Sequence, residues 1–176
     1  MAFTTFVNGT TADADKVNDN FDYFVKKDNI MAVFNQTQAD GGDGGTFTTG
    51  AWRTRVLDTE QFNNLTGCSL AANQVTLGAG TYYVSASASA YKVGKHQTQL
   101  YNITDAETTL LGTSEGLFDD SGAQNRSFIT GVFTIAGATV FELQHQCQLT
   151  VATIGFGYGS DFGSDVFATI TIMRLA

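Results

Sequence analysis

Hydrophobic and polar residues alternate with a period of two over much of the chain beyond residue 50. The clearest case runs from Thr81 to Tyr91, where serines and small apolar residues occupy alternate positions. Because successive side chains of a strand point to opposite faces, this alternation predicts a strand with one buried face. The apolar row is Tyr82, Val84, Ala86, Ala88 and Ala90. Its small alanines predict a second layer of structure packed closely against it.

Similar alternation and short apolar runs predict further strands, with glycine and asparagine in the turns. The strands are expected at about 51–57, 74–77, 80–91, 96–103, 108–113, 127–136, 138–148, 149–156 and 166–175. Short strands at this spacing are typical of an antiparallel two-sheet sandwich or jelly roll. The predicted fold class is therefore all-β, with a jelly-roll domain over residues 51–176.

The last predicted strand is apolar on both of its faces. Ala168, Ile170 and Ile172 form one row, and Phe167, Met173 and Leu175 contribute to the other. In a two-sheet sandwich the chain itself covers only one face of a strand, so the second row predicts a contact with another copy. Tyr83 and Tyr91, on the outer face of the long strand, are expected to flank this contact.

The first 39 residues have a helical pattern instead. Val17, Phe21 and Phe24 fall on one face of a short predicted helix, while acidic residues cluster near its start. This stripe predicts an anchor in residues 1–39 that packs on its own domain, on sister chains or in a larger assembly. Residues 40–50, rich in glycine and aspartate, predict a flexible linker or long loop before the β domain.

Charge and composition narrow the classes of function. The 176 residues include 17 acidic and 9 basic side chains, for a net charge of −8. Such a balance disfavours the neutralisation of nucleic-acid phosphates. No apolar stretch approaches the length of a membrane span, and aspartates interrupt every candidate secretory segment near the start. We therefore expect a protein made in a cytoplasm, with no nucleic-acid partner and no membrane insertion.

With these strands placed, the sequence resembles the jelly roll shared by tumour necrosis factor and the globular heads of complement, especially its bacteriophage members. The most specific element is Leu77-Gly-Ala-Gly-Thr-Tyr82, a turn that leads into the long third strand. Further matching segments are 52–59, 63–64, 100–102, 112–113, 131–134 and 170–175. Residues 6–10, 12–14 and 17–21 are in addition similar to the openings of phage virion proteins found around the tail.

These resemblances imply a homotrimer with its C-terminal strand near the threefold axis. They also imply a non-enzymatic structural protein of a tailed phage virion, assembled in the host cytoplasm: a knob or fibre bound through its anchor to other virion proteins. Its loops would contact a glycan or receptor on the host surface. The alternative is a capsid decoration protein or head fibre, for which threefold symmetry matches threefold capsid sites.

Two groups of residues are candidates for binding chemistry. His145 and Cys147 share one face of a predicted strand, and two ligands without a third favour a packed core pair over a metal site. Tyr158, Asp161 and Asp165 occupy a glycine-rich loop, for which a solvated loop, an ion site and a saccharide contact are all considered. No cofactor is expected, and His96 is expected in solvent.

A catalytic role is the less favoured class. A polysaccharide depolymerase carried on the tail would need paired carboxylates at a cleft, and the acidic residues to test are Glu107, Glu115, Asp119 and Asp120. No nucleophile elbow, metalloprotease helix, P-loop or calcium-loop spacing occurs in the sequence. A small-molecule cavity is disfavoured too, because the predicted alanine row leaves little room between the sheets.

Overall fold

A computed structural model describes residues 16–17, 30–116 and 122–175 of the chain. The strands of this part are β1 (Met31–Gln38), β2 (Arg53–Thr54), β3 (Thr59–Asn63), β4 (Ser69–Ala71), β5 (Gln74–Leu77), β6 (Gly80–Tyr91), β7 (Lys95–Asn102), β8 (Glu107–Gly116), β9 (Gln124–Ile135), β10 (Thr139–Cys147) and β11 (Asp165–Arg174). Residues 16 and 17 are helical, whereas Phe21 and Phe24 lie outside the described residues. The anchor role of Val17, Phe21 and Phe24 therefore stays a prediction.

The strands form two antiparallel sheets that pack face to face. Sheet 1 has the order β3-β1-β11-β6-β9, and sheet 2 has the order β4-β5-β10-β7-β8, with β2 paired to β10. Neighbouring strands in each sheet are often distant in sequence, as with β1 and β11 at the two ends of the domain. This arrangement is a jelly-roll sandwich, and it confirms the predicted all-β fold class.

The core lies between the two inner faces and contains the predicted alanine row. Ala86 and Ala88 of β6 are buried, as are Ile170 of β11 and Leu143 of β10. Small side chains on β6 of sheet 1 leave room for large ones from sheet 2, which is how close-packed interiors avoid voids. β6 and β11 therefore confirm the strands that the alternation predicts at about 80–91 and 166–175.

The predicted boundary between a helical anchor and the β domain is wrong for residues 31–39. Residues 31–38 form β1, which lies between β3 and β11 in sheet 1. Ala32 and Phe34 are fully buried, while Met31 and Val33 on the other face are partly exposed. The segment therefore has the period of a strand, and its pairing with β11 at the other end of the domain cannot be read from local pattern.

The glycine-rich segment 40–50 is part of the sandwich, which corrects the linker prediction. The Gly44 amide donates to the Gly157 carbonyl at 2.8 Å, and Phe47 forms a β-bridge with Val151. The Phe47 side chain is fully buried. Because a linker exposes its backbone to water, these contacts show that the segment is a packed loop. The domain begins at about residue 31 and not at residue 51.

Three smaller predictions also differ from the structure. Residues 149–156, predicted as a strand, form turns apart from the single bridge at Val151. The alternation does not predict β3 and β4, which lie at one edge of each sheet, because β3 is mostly polar and β4 has only three residues. Edge strands pair on one side only, so they need less hydrophobic patterning than central strands.

The sandwich has two different ends. At the terminal end, Ile30 accepts a hydrogen bond from the Arg174 amide at 2.8 Å, and Thr81 accepts one from the Leu175 amide at 2.7 Å. At the opposite end, which we call the loop end, long connections 39–52 and 148–164 pack together. β1 therefore begins at the end farthest from the long loops.

Candidate oligomer interface and loop-end site

The outer face of sheet 1 carries an apolar row that crosses four strands. In register, Met31 of β1 pairs with Met173 of β11, which pairs with Tyr83 of β6, which pairs with Val132 of β9. Val132 is 55% exposed, and the other three are partly exposed. Four large side chains aligned on one outer face form a continuous patch, which we call the apolar row.

Beside the apolar row, the same face is covered by small side chains. The next row in register contains Thr171 of β11, Ser85 of β6 and Thr130 of β9. Short hydroxyl side chains on a sheet allow another surface to approach closely and offer hydrogen bonds at the contact. The exposed Phe128 of β9 and Phe62 of β3 lie at the two edges of this sheet. The face therefore combines an apolar row with short hydroxyl side chains and exposed aromatic rings at its edges.

The outer face of sheet 2 is different, because its polar groups bond to one another. Glu142 accepts hydrogen bonds from Gln74, Gln144 and Thr54, at 3.0, 2.8 and 2.7 Å. Gln144 in turn accepts from Gln99 at 2.7 Å. Partial burial acts to raise the pKa of Glu142, but the three donors outweigh it and the pKa is lowered. The polar side chains of this face therefore bond to one another, whereas Leu111 on β8 of the same sheet is 58% exposed.

The predicted outward orientation of Phe167 is wrong. Phe167 is only 2% exposed, because a β-bulge interrupts the alternation of β11: Ala168 pairs with Gln36 and Val166 with Thr37, leaving Phe167 unpaired. Its side chain packs against Gly157 of the loop end, and its carbonyl accepts a hydrogen bond from Ser89 at 3.0 Å. Such a bulge turns one side chain to the other face of the sheet.

The other residues predicted at the interface occupy two places. Met173 and Tyr83 belong to the apolar row, and Leu175 is 56% exposed just after β11. Tyr91 lies at the loop end, where its ring stacks on Tyr158 with 5.4 Å between centroids. The structure thus brings Met173 and Tyr83 together and separates Tyr91 from them. The interface role of all these residues stays a prediction.

Two carboxylates hold the predicted ion or saccharide loop in place: Asp165 of the loop itself and Asp43 of the neighbouring segment 39–52. Asp165 accepts hydrogen bonds from the amide and the hydroxyl of Ser160, the latter at 2.6 Å. Asp43 accepts from the Gly159 amide at 3.0 Å. Asp161 is exposed and has a left-handed φ of 57°. Since Asp165 is occupied by these donors, the loop does not present its two carboxylates as a ready pair.

Aromatic rings project from this loop instead. Phe162, at its tip, is 96% exposed, and Tyr158 is 52% exposed. The Tyr91 ring, which stacks on Tyr158, also has the Lys92 ammonium 5.5 Å from its centre. Aromatic faces next to polar groups suit contacts with ligands that have both apolar and hydroxyl surfaces.

A buried polar cluster, which the sequence did not predict, lies behind the loop end. Arg55 is fully buried, and its guanidinium donates to the Gln36 side chain at 2.6 Å and to the carbonyls of Ser89 and Phe156 at 3.3 and 3.2 Å. The guanidinium also lies 4.1 Å above the Phe156 ring. Burial lowers the pKa of Arg55 well below its usual value, and Arg126 adds to the effect.

Both histidines belong to this cluster. His145 Nε2 lies 2.9 Å from His96 Nδ1, and His96 Nε2 lies 2.7 Å from Asn125 Oδ1. His145 is fully buried and His96 is 4% exposed, so the expected solvent exposure of His96 is wrong. Cys147, 5% exposed, is buried beside His145 as predicted for a core pair. Only the spacing of His145 and Cys147 was visible in the sequence, since their partners come from other strands.

The structure gives little support to a paired-carboxylate or metal site. Glu107 and Glu115 lie near opposite ends of β8, roughly 26 Å apart at the rise of a strand, and Asp119 and Asp120 lie outside the described residues. Glu115 lines an open groove of about 540 Å³ together with His96 and Cys147. Within residues 16–17, 30–116 and 122–175, no three His, Cys, Asp or Glu side chains are grouped to hold a metal ion. That part of the chain also has no helix long and apolar enough to cross a membrane.

Comparison with known proteins identifies the fold. No protein-family model matches the sequence, and a search of curated proteins found no similar one. Solved structures that match include the Eiger TNF from S. frugiperda, with a TM-score of 0.56 and 14% identity over 84% of this chain and 92% of that one. Murine APRIL, at pH 5.0, matches with a TM-score of 0.50 and 12% identity over 83% and 98%. The chain therefore has a TNF-like jelly-roll fold.

Proposed function

We propose that the chain is a non-enzymatic structural protein of a tailed phage virion: a homotrimeric jelly-roll knob that is attached by its N-terminal residues and projects its loop end outward. The observation that carries this proposal is the apolar row on the outer face of sheet 1. In a single copy of the chain, the side chains of Met173, Tyr83 and Val132 are in contact with water. The polar side chains on the outer face of sheet 2, in contrast, form hydrogen bonds with one another.

The shape and chemistry of this face support trimerisation through sheet 1. Each large apolar side chain that is fully buried contributes about 1.5–3 kcal/mol, and a closed ring of three copies repeats every contact three times. The small row of Thr171, Ser85 and Thr130 lets a neighbour approach. The resemblance to tumour necrosis factor and complement heads, in which the C-terminal strand lies near the threefold axis, supports the same face, because β11 is the central strand of sheet 1.

The two ends of the sandwich support attachment at one side and recognition at the other. Residues 1–29 join β1 at the terminal end, while Phe162 and Tyr158 project at the loop end. An anchor and a contact surface at opposite ends are what a projecting knob requires. The virion setting itself is supported by the resemblance of residues 6–10, 12–14 and 17–21 to phage virion proteins around the tail.

The favoured role of the loop end is contact with a glycan of the host surface. Tyr91 and Tyr158 offer stacked rings, Phe162 an exposed one, and Asp161 an exposed carboxylate that accepts hydrogen bonds from hydroxyl groups. Sugars combine apolar ring faces with hydroxyl groups, so this mixture of side chains fits them. Replacing Phe162 with alanine is expected to reduce binding to host cells without changing stability, because this side chain is 96% exposed.

Immunogold labelling of particles of the phage that encodes the chain tests the proposal. Label at the tail supports a fibre or adhesin, and label over the head supports the alternative of a capsid decoration protein or head fibre. Particles that carry no label, while the free protein is labelled in the same experiment, would refute the virion role altogether.

A further inference from the structure

At the loop end, the two sheets are joined by hydrogen bonds between side chains. His96 of sheet 2 contacts Asn125 of sheet 1 at 2.7 Å, and Thr98 of sheet 2 contacts Ser127 of sheet 1 at 2.8 Å. Arg55, which follows β2, reaches Gln36 of sheet 1. The large apolar cluster that includes Phe34, Leu143 and Ile170 holds the rest of the sandwich together. The loop end has only a small apolar cluster of its own around Phe47 and Val93.

The polar cluster has a positive charge with no carboxylate bonded to it. Among the described residues, the hydrogen-bond acceptors of Arg55 are a side-chain amide oxygen and two backbone carbonyls, all neutral. Arg55 Nε and His145 Nδ1 are buried without a hydrogen-bond partner. A buried cation without a counter-charge is costly, and a second positive charge beside it is costlier still. The cluster is therefore stable only while both histidines are neutral.

The charged and titratable groups around the histidine pair come from every neighbouring element. They are Arg55 after β2, Lys95 on β7, Glu115 on β8, Arg126 on β9 and Cys147 on β10. Glu115 is the one carboxylate among these five, and it faces the groove beside His96. Arg55, Arg126 and a protonated His96 oppose the protonation of His145. At His96, Arg55 opposes protonation and Glu115 favours it, so burial is what keeps this ring neutral.

We propose that the loop end is a closure that opens in acid: neutral His96 and His145 hold the two sheets together, and protonation of either ring releases the loops that cover Arg55. Segments 39–52 and 148–164 would separate from the strands beneath them, while the apolar end of the sandwich stays folded. The chain contains two histidines and both are in this cluster, so no other histidine competes for the response between pH 5 and 7.

The direction of the effect follows from proton linkage. Burial lowers the pKa of both histidines. The hydrogen bond to Asn125 and the Glu115 carboxylate oppose this effect at His96 without cancelling it, whereas Arg55 adds to it at His145. In the open state the histidines are exposed and have the ordinary pKa of about 6.5. Between this value and their lower pKa in the closed state, the open state binds more protons than the closed state. The closed state is therefore fully favoured above pH 6.5 and loses stability as the pH falls below it. A ring that stays unprotonated in the closed state raises the opening constant about tenfold between pH 7.5 and pH 5.5, so two rings set an upper limit of about a hundredfold.

Hydrogen–deuterium exchange of the full chain at pH 7.5 and pH 5.5, corrected for the intrinsic rate, tests this inference. Protection of the loop-end amides of Gly44, Phe47 and Phe156, all of them hydrogen-bonded across the loops, is expected to fall by about tenfold to a hundredfold. Protection of the Gly78 and Arg174 amides at the terminal end is expected to change little. Equal loss at both ends, or no loss at the loop end, would overturn the proposal.

Variants separate the histidines from the remaining acid-sensitive groups. His96→Gln and His145→Gln each are expected to reduce the pH response to at most about tenfold, and the double variant to abolish it, because glutamine bonds but does not titrate. Exposed carboxylates titrate below this range. A double variant that responds to acid as the wild type does would refute the role of the histidines. If the double variant does not fold, side-chain NMR of the wild type decides: rings that titrate near pH 6.5 while the loops stay protected contradict the proposal.

Discussion

Replacing Gly44 with alanine tests whether the glycine-rich segment is a packed part of the domain. Gly44 donates from its amide to the Gly157 carbonyl at 2.8 Å and accepts at its own carbonyl from the Gln36 side chain at 2.9 Å. A methyl group on Gly44 would lie 2.7 Å from the Phe156 carbonyl carbon and 2.8 Å from the Gly157 nitrogen. These are backbone atoms, so they cannot rotate away, and two packed loops would have to separate.

The expected cost follows from these contacts. Overpacking of this kind costs about 1–3 kcal/mol, and the weakened hydrogen bond adds about 1 kcal/mol. For a chain of this size, a loss of about 2–4 kcal/mol lowers the Tm by roughly 4–16 °C. The matched control is Gly137→Ala in the turn between β9 and β10, where an added methyl group meets nothing within 4 Å.

Thermal unfolding followed by circular dichroism, at one protein concentration, measures both variants. Gly137→Ala is expected to melt within about 1–2 °C of the wild type, as surface substitutions usually do. A Gly44→Ala protein that melts together with the control would contradict the packing described for residues 40–50. The segment would then be the flexible linker that its composition predicts.

Three further predictions concern single side chains. Phe167→Ala should destabilise the fold by about 3–5 kcal/mol, because the ring is buried within one chain. Urea unfolding should show this loss whether the protein is a monomer or an oligomer, and an unchanged midpoint would contradict it. Glu142→Gln should be less stable than the wild type at pH 7. The gap should close as the pH falls through the lowered pKa of Glu142, because that stability exists only above the unfolded value; a pH-independent gap would refute this. Burial raises the pKa of Cys68 to about 12 and of Cys147 to about 11, so both thiols should react slowly with iodoacetamide at pH 8 and rapidly in urea.

The sequence predicts those parts of the fold that depend on local alternation. The long strand β6 and the strand β10 have one apolar face each, so period and position are both visible. The same rule fails at Phe167, because a bulge is set by the pairing of β11 with β1 and not by the sequence of β11 alone. Bulges and loop packing are properties of two distant segments, which a local pattern does not contain.

In the candidate sites too, a local pattern predicts some residues, while others come together only through contacts between distant segments. The outer-face positions of Met173 and Tyr83 are predictable because the alternation shows an apolar residue on the solvent face of a strand, whereas their role in an interface stays a prediction. The buried cluster was missed because Arg55, His96 and His145 are brought together by three separate elements. Arg55 lies in an ordinary-looking polar run, Trp52-Arg-Thr-Arg55. Nothing in that run distinguishes a buried guanidinium from a solvated one.

Sedimentation equilibrium of the full chain and two single variants tests the central claim most directly. At micromolar concentration, the wild type is expected at three times the 18.8 kDa of one chain. Val132→Asp should dissociate it, because three carboxylates would enter apolar contacts. Leu111→Asp is the matched control, since Leu111 is 58% exposed but lies on β8 of sheet 2, and it should leave the trimer intact. A monomeric wild type, or a Val132→Asp protein that stays trimeric, would show that sheet 1 is not the interface.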